Sequence, residues 1–266
     1  MNFLVKTYGK LKRLAADIIS ISALNISGKK RQSLNQLNEL KGKFNGNRCF
    51  IVCNGPSLKS EDLDKLYKHN EFSFASNRIN KIFNSTEWRP TFYACFDEGL
   101  QYHLNDVFNT VPSKYKFFRN ISFIKTHCVK DGAIWVNTVG NRRLLDNPLF
   151  SNDASNQIYA IATVTYCMLQ LAYHLGFNEV YIIGCDNSYG LEKQKDGKII
   201  NTGKQSFFKE DVNPKTQAII ASIWEMNIAY ETALKFSQTH PNFKIYNATR
   251  GGHLETFPRV DFDSLF

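Results

Sequence analysis

The sequence predicts an α/β fold: a single Rossmann-like, mostly parallel sheet with helices on both faces, preceded by an N-terminal amphipathic helix. Three observations carry this expectation. From Arg48 onward, short apolar runs alternate with stretches of helical period. The runs are apolar throughout, not alternating, which is the pattern of strands buried on both faces. Thr163 to Leu175, Gly176 and Glu179 to Ile183 then read as helix, left-handed stop and buried strand.

Taken in order, residues 3–22 read as an amphipathic helix. Leu4, Tyr8, Leu11, Ala15, Ile18 and Ile19 share one face, and Lys6, Lys10, Arg13 and Asp17 the other. This face suits an anionic membrane surface, the protein's own domain or a second subunit. Residues 29–43 read as a polar connector ending at Gly42 and Gly46, so the chain divides into a basic segment, 1–47, and an α/β domain, 48–266. In that domain Cys49–Cys53, Phe72–Ala75, Thr91–Cys95, Tyr115–Phe118, Ala133–Val136 and Phe243–Tyr246 are strand candidates. Ser60 is expected to cap a helix over 61–67. Residues 190–214 read as a polar loop or hairpin over a site, and Thr216 to Gln238 as a long helix.

The chain has 266 residues, 43% hydrophobic and 14% aromatic, enough apolar side chain to form a core and exclude wholesale disorder. Its net charge of +9 is uneven. Residues 1–48 hold ten basic and two acidic side chains, while the other 218 hold 23 and 22. A nucleic-acid-reading face would carry the excess on the folded domain, so no nucleic-acid partner is expected. The six cysteines show no metal or redox spacing and sit in apolar runs, as buried free thiols in a reducing compartment would. No apolar run is long enough to span a membrane. The expected location is cytoplasmic, with room for peripheral contact at the inner face of the plasma membrane.

Ligands in parallel sheets bind beyond the carboxyl ends of strands. The segments 53–57, 76–78, 96–98, 184–189 and 247–253 are therefore the candidates. In Cys53-Asn54-Gly55-Pro56-Ser57, Gly55 permits a tight turn, Asn54 and Ser57 can bond phosphate or ribose, and a helix start follows. The turn is neither a Walker loop nor a G-x-G-x-x-G fingerprint. Asp186 ends a strand and can hold ribose, a metal or a hydroxyl, or form only an Asx-turn. Asn77 follows a strand in the same way. Thr163 and Thr165 open the central helix, where they can meet a phosphate or merely cap. Of Asp97 and Glu98, one can approach a ligand. His103, His127 and His253 are base candidates, whereas His69, His174 and His240 read as surface residues.

The segments IVCNGPSLK, SNRI, WRPTFYACFDE, ATVTYCMLQLAYHLGFNEVYIIGCDNSY and IYNATRGGHLETFPRVDFD resemble the DUF115 group, related to archaeal MptE-like 6-hydroxymethylpterin pyrophosphokinase. The NGPSLK turn and LGFNEVYIIGCD also resemble bacterial family-42 sialyltransferases and the motility-accessory glycosyltransferases. That resemblance implies a CMP-sugar donor and a glycan acceptor in surface polysaccharide synthesis, with no metal and no cofactor. It implies donor-binding roles for Asn54, Gly55, Ser57, Thr163 and Thr165, and assigns Tyr189 to the departing phosphate; Pro56, Asn77 and Asp186, in the segments after strands, are the further nucleotide-binding candidates. The sialyltransferases carry a histidine base in a loop that here reads Gly203-Lys204-Gln205-Ser206-Phe207-Phe208, without histidine. His253, or Asp97 if burial raises its pKa, is expected to replace it. A magnesium-dependent ATP pyrophosphokinase, with Asp97 and Asp186 as ligands, and a non-catalytic nucleotide-sugar-binding protein stay open, as does a homo-oligomer.

Overall fold

The computed structural model describes residues 2–97, 108, 110–123, 132–140, 143–207 and 220–266. Its strands are β1 (Arg48–Val52), β2 (Phe72–Ser76), β3 (Phe92–Cys95), β4 (Tyr115–Arg119), β5 (Ala133–Val136), β6 (Thr138–Val139), β7 (Ile158–Tyr159), β8 (Glu179–Ile183), β9 (Leu191–Lys193), β10 (Ile199–Asn201), β11 (Ile220–Ala221) and β12 (Lys244–Asn247). Its helices are α1 (Asn2–Ile26), α2 (Lys29–Leu40), α3 (Ser60–Lys68), α4 (Arg143–Asp146), α5 (Val164–Leu175) and α6 (Ile223–Thr239).

Among the described residues, seven strands form one parallel sheet in the order β12-β8-β1-β2-β3-β4-β5. Alternate residues of each strand enter opposite cores, because successive side chains point to opposite faces. On one face Cys49, Ile51, Phe74, Phe92, Phe117, Val180 and Ile182 pack with α2, α5 and α6. On the other, Phe50, Val52, Ala75, Tyr93, Phe118, Tyr181 and Ile183 pack with α3, Trp88 and the end of α1. This two-sided burial is why the strands read as unbroken apolar runs. β9, β10 and β11 form a separate small sheet between β8 and α6.

Four expectations are corrected. Residues 29–40 are helix α2, not connector: Ser33, Leu37 and Leu40 recur at helical spacing and are buried, and Ser33 Oγ accepts the Trp135 N–H at 2.9 Å. Three inward positions suffice to dock the helix, so its polar remainder hid it. Ile220–Ala221 pairs in parallel with β9, and α6 begins only at Ile223, with 216–219 lying outside the described residues. Lys59, not Ser60, is the N-cap of α3, and no side chain caps it. His174 is buried, not on the surface: its Nδ1 accepts the Ala154 N–H at 3.2 Å and its Nε2 faces the Leu37 carbonyl at 2.9 Å. Those partners place the proton on Nε2, and burial lowers the imidazole pKa.

Candidate functional site: a crevice at the switch point

The chain builds β1 to β5 outward in one direction, then returns to lay β8 against the other side of β1. Connections leaving β1 and β8 therefore diverge to opposite faces, and a crevice opens between their carboxyl ends. Cys53, Asn54 and Gly55 line it from the β1 turn, and Ser76 and Asn77 from the end of β2. The start of α5 adds Thr163, Val164 and Thr165; the β8 turn adds Gly184 to Tyr189; Ser206, Phe207 and Tyr230 complete the wall. The space within this partly open crevice is about 90 Å³. That admits a phosphoryl-sized group, with the rest of a larger ligand toward the open side.

Two loops lock together at its floor. The Gly55 N–H donates to the Gly184 carbonyl at 2.8 Å. Ser57 donates to Asp186 Oδ2 from its hydroxyl at 2.8 Å and its N–H at 3.2 Å. A Cβ on Gly55 would stand 2.0 Å from that same Oδ2 and 2.5 Å from Gly184 O. The glycine is thus required by Asp186, which fills the space expected for a ligand's approach. Asn77, Ala162 and Asn187 hold left-handed φ of 53°, 49° and 51° in three loops around the crevice. Left-handed non-glycine residues cost energy and concentrate at functional sites. Tyr93 Oη fixes the Asn77 turn by donating to its carbonyl at 2.6 Å. Asn54, Asn77 and Asn187 each keep a buried side-chain oxygen without a protein partner. Each is an acceptor that a ligand donor or water would satisfy.

The wall is rich in hydroxyls and short of charge. Asp186 is its one charged side chain among the described residues. The first-turn N–H groups of α5 lack intrahelical acceptors and favour an anion. Burial, then the nearby Cys185, Cys53 and Asp186, pushes the Tyr189 phenol well up, so it stays a protonated donor. Cys53 is raised by its hydrogen bond to Cys185 and by burial; its Sγ also lies 3.4 Å from Thr165 Oγ1. Cys185 Sγ lies 3.4 Å from Tyr230 Oη.

The structure thus gathers Asn54, Gly55, Asn77, Thr163, Thr165, Asp186 and Tyr189 into one wall, with Pro56 and Ser57 in the adjoining turn. Thr163 is also the N-cap of α5, its hydroxyl accepting the Thr165 N–H at 3.3 Å. Two candidates stand off the wall. Asp97 is exposed beyond β3, two strands from β1. His253 is exposed at the rim: its N–H donates to the Asp186 carbonyl at 2.8 Å and its Nε2 lies 3.3 Å from Lys204 Nζ. Glu98, His103 and His127 lie outside the described residues. Sequence reading missed Cys53 and Cys185, treated as inert thiols, and Tyr230, whose helix was expected but whose inward face was not. Ser206, in the loop that lacks the sialyltransferases' histidine, lines the crevice and accepts the Gly190 N–H at 2.9 Å. A larger open groove of about 600 Å³ lies at the amino ends of β1, β8 and β12, among Lys41, Asn45, Asn178 and Asn242. It is at the wrong edge of the sheet for the ligand rule.

Fold and crevice define a doubly wound α/β protein with a crevice at its switch point. Residues 25–192 match the family described as 6-hydroxymethylpterin diphosphokinase MptE-like, and the chain belongs to that family. No curated protein matches it. Among solved structures it is similar to the MAf glycosyltransferase from Magnetospirillum magneticum AMB-1, with 15% sequence identity and a TM-score of 0.50. That match covers 89% of this chain but only 39% of the other, so the two share a fold over a minor part of the larger protein.

Proposed function

We propose that the chain is a glycosyltransferase that moves a sialic-acid-like nonulosonate, or a related sugar, from a CMP-sugar donor to a glycan acceptor. The observation that carries this reading is the charge of the crevice. Its described wall has hydroxyls, amides and the α5 N-terminus, one carboxylate, and no lysine or arginine. The phosphodiester of such a donor brings one negative charge to that set, apart from the sugar's own carboxylate, and suits it. A di- or triphosphate in a site of low dielectric calls for cationic side chains or a metal to offset its charge. The resemblance to a glycosyltransferase fold supports the same direction.

In this reading, Thr163, Thr165 and the α5 N-terminus hold the phosphate, and Asn54, Asn77 and Asp186 hold the nucleoside. Tyr189 donates to the phosphate oxygen as the sugar departs with inversion, without a metal. A base takes the proton from the acceptor hydroxyl. His253, exposed at the rim, is the proposed base, and Asp97 is its reserve.

The family's description favours a second reading, magnesium-dependent pyrophosphoryl transfer from ATP. Its metal would need carboxylates converging on the phosphates. Of the two candidate ligands, Asp186 lines the crevice and Asp97 does not. Thermal unfolding of the protein with CMP, AMP, ATP, UMP or GMP, with and without Mg²⁺, separates the readings. CMP at a hundredfold excess over Kd should stabilise by about 2.7 kcal/mol without Mg²⁺. Stabilisation by AMP or ATP only with Mg²⁺ would overturn the proposal. CMP-sugar binding without turnover, in the presence of acceptor glycans, would leave a binding protein and not a transferase. His253→Ala should lower turnover by about 10² with CMP binding kept.

A further inference from the structure

Helix α1 departs from the rest of the fold in how it presents its apolar side. Its last turns dock: Ser20 and Leu24 are buried, and Leu24 joins the core shared by Val52, Ile79 and Phe118. The helix packs there on α2 and on the turn at Asn120–Ser122. Ser20 and Leu24 are one turn apart and mark the side that faces the domain. At 100° per residue, Tyr8, Leu11, Ile18, Ile19 and Ile26 fall on the opposite side. All five are exposed, from 55% for Ile18 to 88% for Ile26. Leu14, at 57%, widens the stripe. Of the amphipathic face read from the sequence, Tyr8, Leu11, Ala15, Ile18 and Ile19 are therefore not covered by the protein's own domain. Contiguous exposed apolar side chains on a helix of about 37 Å mark a surface for something else.

Charge selects the occupant. Residues 1–48 carry ten basic and two acidic side chains, a net +8, and within α1 itself Lys6, Lys10, Lys12 and Arg13 stand against Asp17 alone. A second copy would bring one +8 segment against another. An anionic bilayer complements the charge and accepts the apolar stripe at the boundary of headgroup and acyl chain. Tyr8, an amphipathic ring near the start of the stripe, suits that boundary. No helix of the described residues is long and apolar enough to cross a membrane. We infer that α1 lies on an anionic phospholipid surface through Tyr8, Leu11, Leu14, Ile18, Ile19 and Ile26. The docked turn at Ser20–Leu24 would then hold the sheet domain close to that surface.

The test uses the full chain and sedimentation with phosphatidylcholine vesicles, with or without phosphatidylglycerol. The protein should bind the anionic vesicles and bind pure phosphatidylcholine about ten-fold or more weakly. Binding should fall at about 1 M salt, where the Debye length is about 3 Å. A Leu11→Glu/Ile18→Glu variant changes exposed positions only, so its thermal unfolding should match the parent while its vesicle binding falls about ten-fold or more. Absence of binding to anionic vesicles at low salt would overturn the inference, as would undiminished binding by the variant. If the parent is instead a dimer that the variant converts to monomer, with no vesicle binding by either, the stripe is an interface between copies. Nucleotide binding by the variant should be unchanged, which keeps this test apart from the function of the crevice.

Discussion

Gly55→Ala is the smallest change that tests how the crevice is built. The new Cβ would stand 2.0 Å from Asp186 Oδ2 and 2.5 Å from Gly184 O. A carboxylate can swing aside, but the Gly184 carbonyl is backbone at the end of β8, held where it accepts the Gly55 N–H at 2.8 Å. The β1 turn must therefore shift. That shift loses the Gly55–Gly184 bond, about 1 kcal/mol, and the Ser57 donors to the Asp186 carboxylate, about 1.5–3 kcal/mol. A total of about 3 kcal/mol should lower Tm by about 6–12 °C for a chain of this size. Nucleotide binding should weaken with it, because Asn54 and Asp186 sit on the loops that move. In an Asp186→Ala background one of the two collisions is gone, so the same substitution should cost less. A double-mutant cycle should return a coupling of about 1–2 kcal/mol. Calorimetry and nucleotide titration on the four proteins measure this. Gly55→Ala with unchanged Tm and unchanged affinity would refute the reasoning, as would strict additivity with Asp186→Ala.

Two further outcomes follow from groups around the same core. The His174 pKa is lowered in the folded protein by burial, with Asp153 and Lys41 its charged neighbours. The unfolded chain therefore takes up its proton first, and stability should fall as pH drops below the ordinary imidazole value of about 6.5. His174→Gln should flatten this slope, and equal slopes would refute it. Asp153, pushed up by burial but pulled down further by Lys41 and Ser155 to about 2, loses its own contribution only below the ordinary carboxyl range. Ala162 holds φ of 49°, so Ala162→Gly should relieve about 1 kcal/mol of left-handed strain and offset glycine's usual cost of about 0.5–1 kcal/mol. Its Tm should equal or exceed the parent's; a drop of several degrees would show the strain is absent.

Much of this protein is written locally. Strands such as Cys49–Val52 and Val180–Ile183 are apolar on both sides because both faces of the sheet are covered, so their burial and parallel pairing were legible from composition alone. Gly176, at φ 93°, ends α5 as a helix stop in the sequence does. The ligand rule for parallel sheets placed Asn54, Asn77, Thr163, Asp186 and Tyr189 after strands or at a helix start, and one crevice contains them. Other features depend on contacts between segments far apart in the chain. That Gly55 answers to Asp186, 131 positions later, follows from β1 lying beside β8, a pairing no local pattern specifies. Helix α2 was illegible because three inward residues dock it while its polar remainder reads as linker. His174 turned from surface residue to core residue because α2 and the Ala154 loop close over it. The sequence by itself determined the period, the apolar strands and the carboxyl-edge loops, since these depend on neighbours within a turn or a strand. Only the tertiary structure decided the strand order, which sets where the crevice opens, and the orientation of α1, whose apolar stripe faces away from the domain. Both are settled by long-range packing, where the burial of one segment depends on which distant segment covers it.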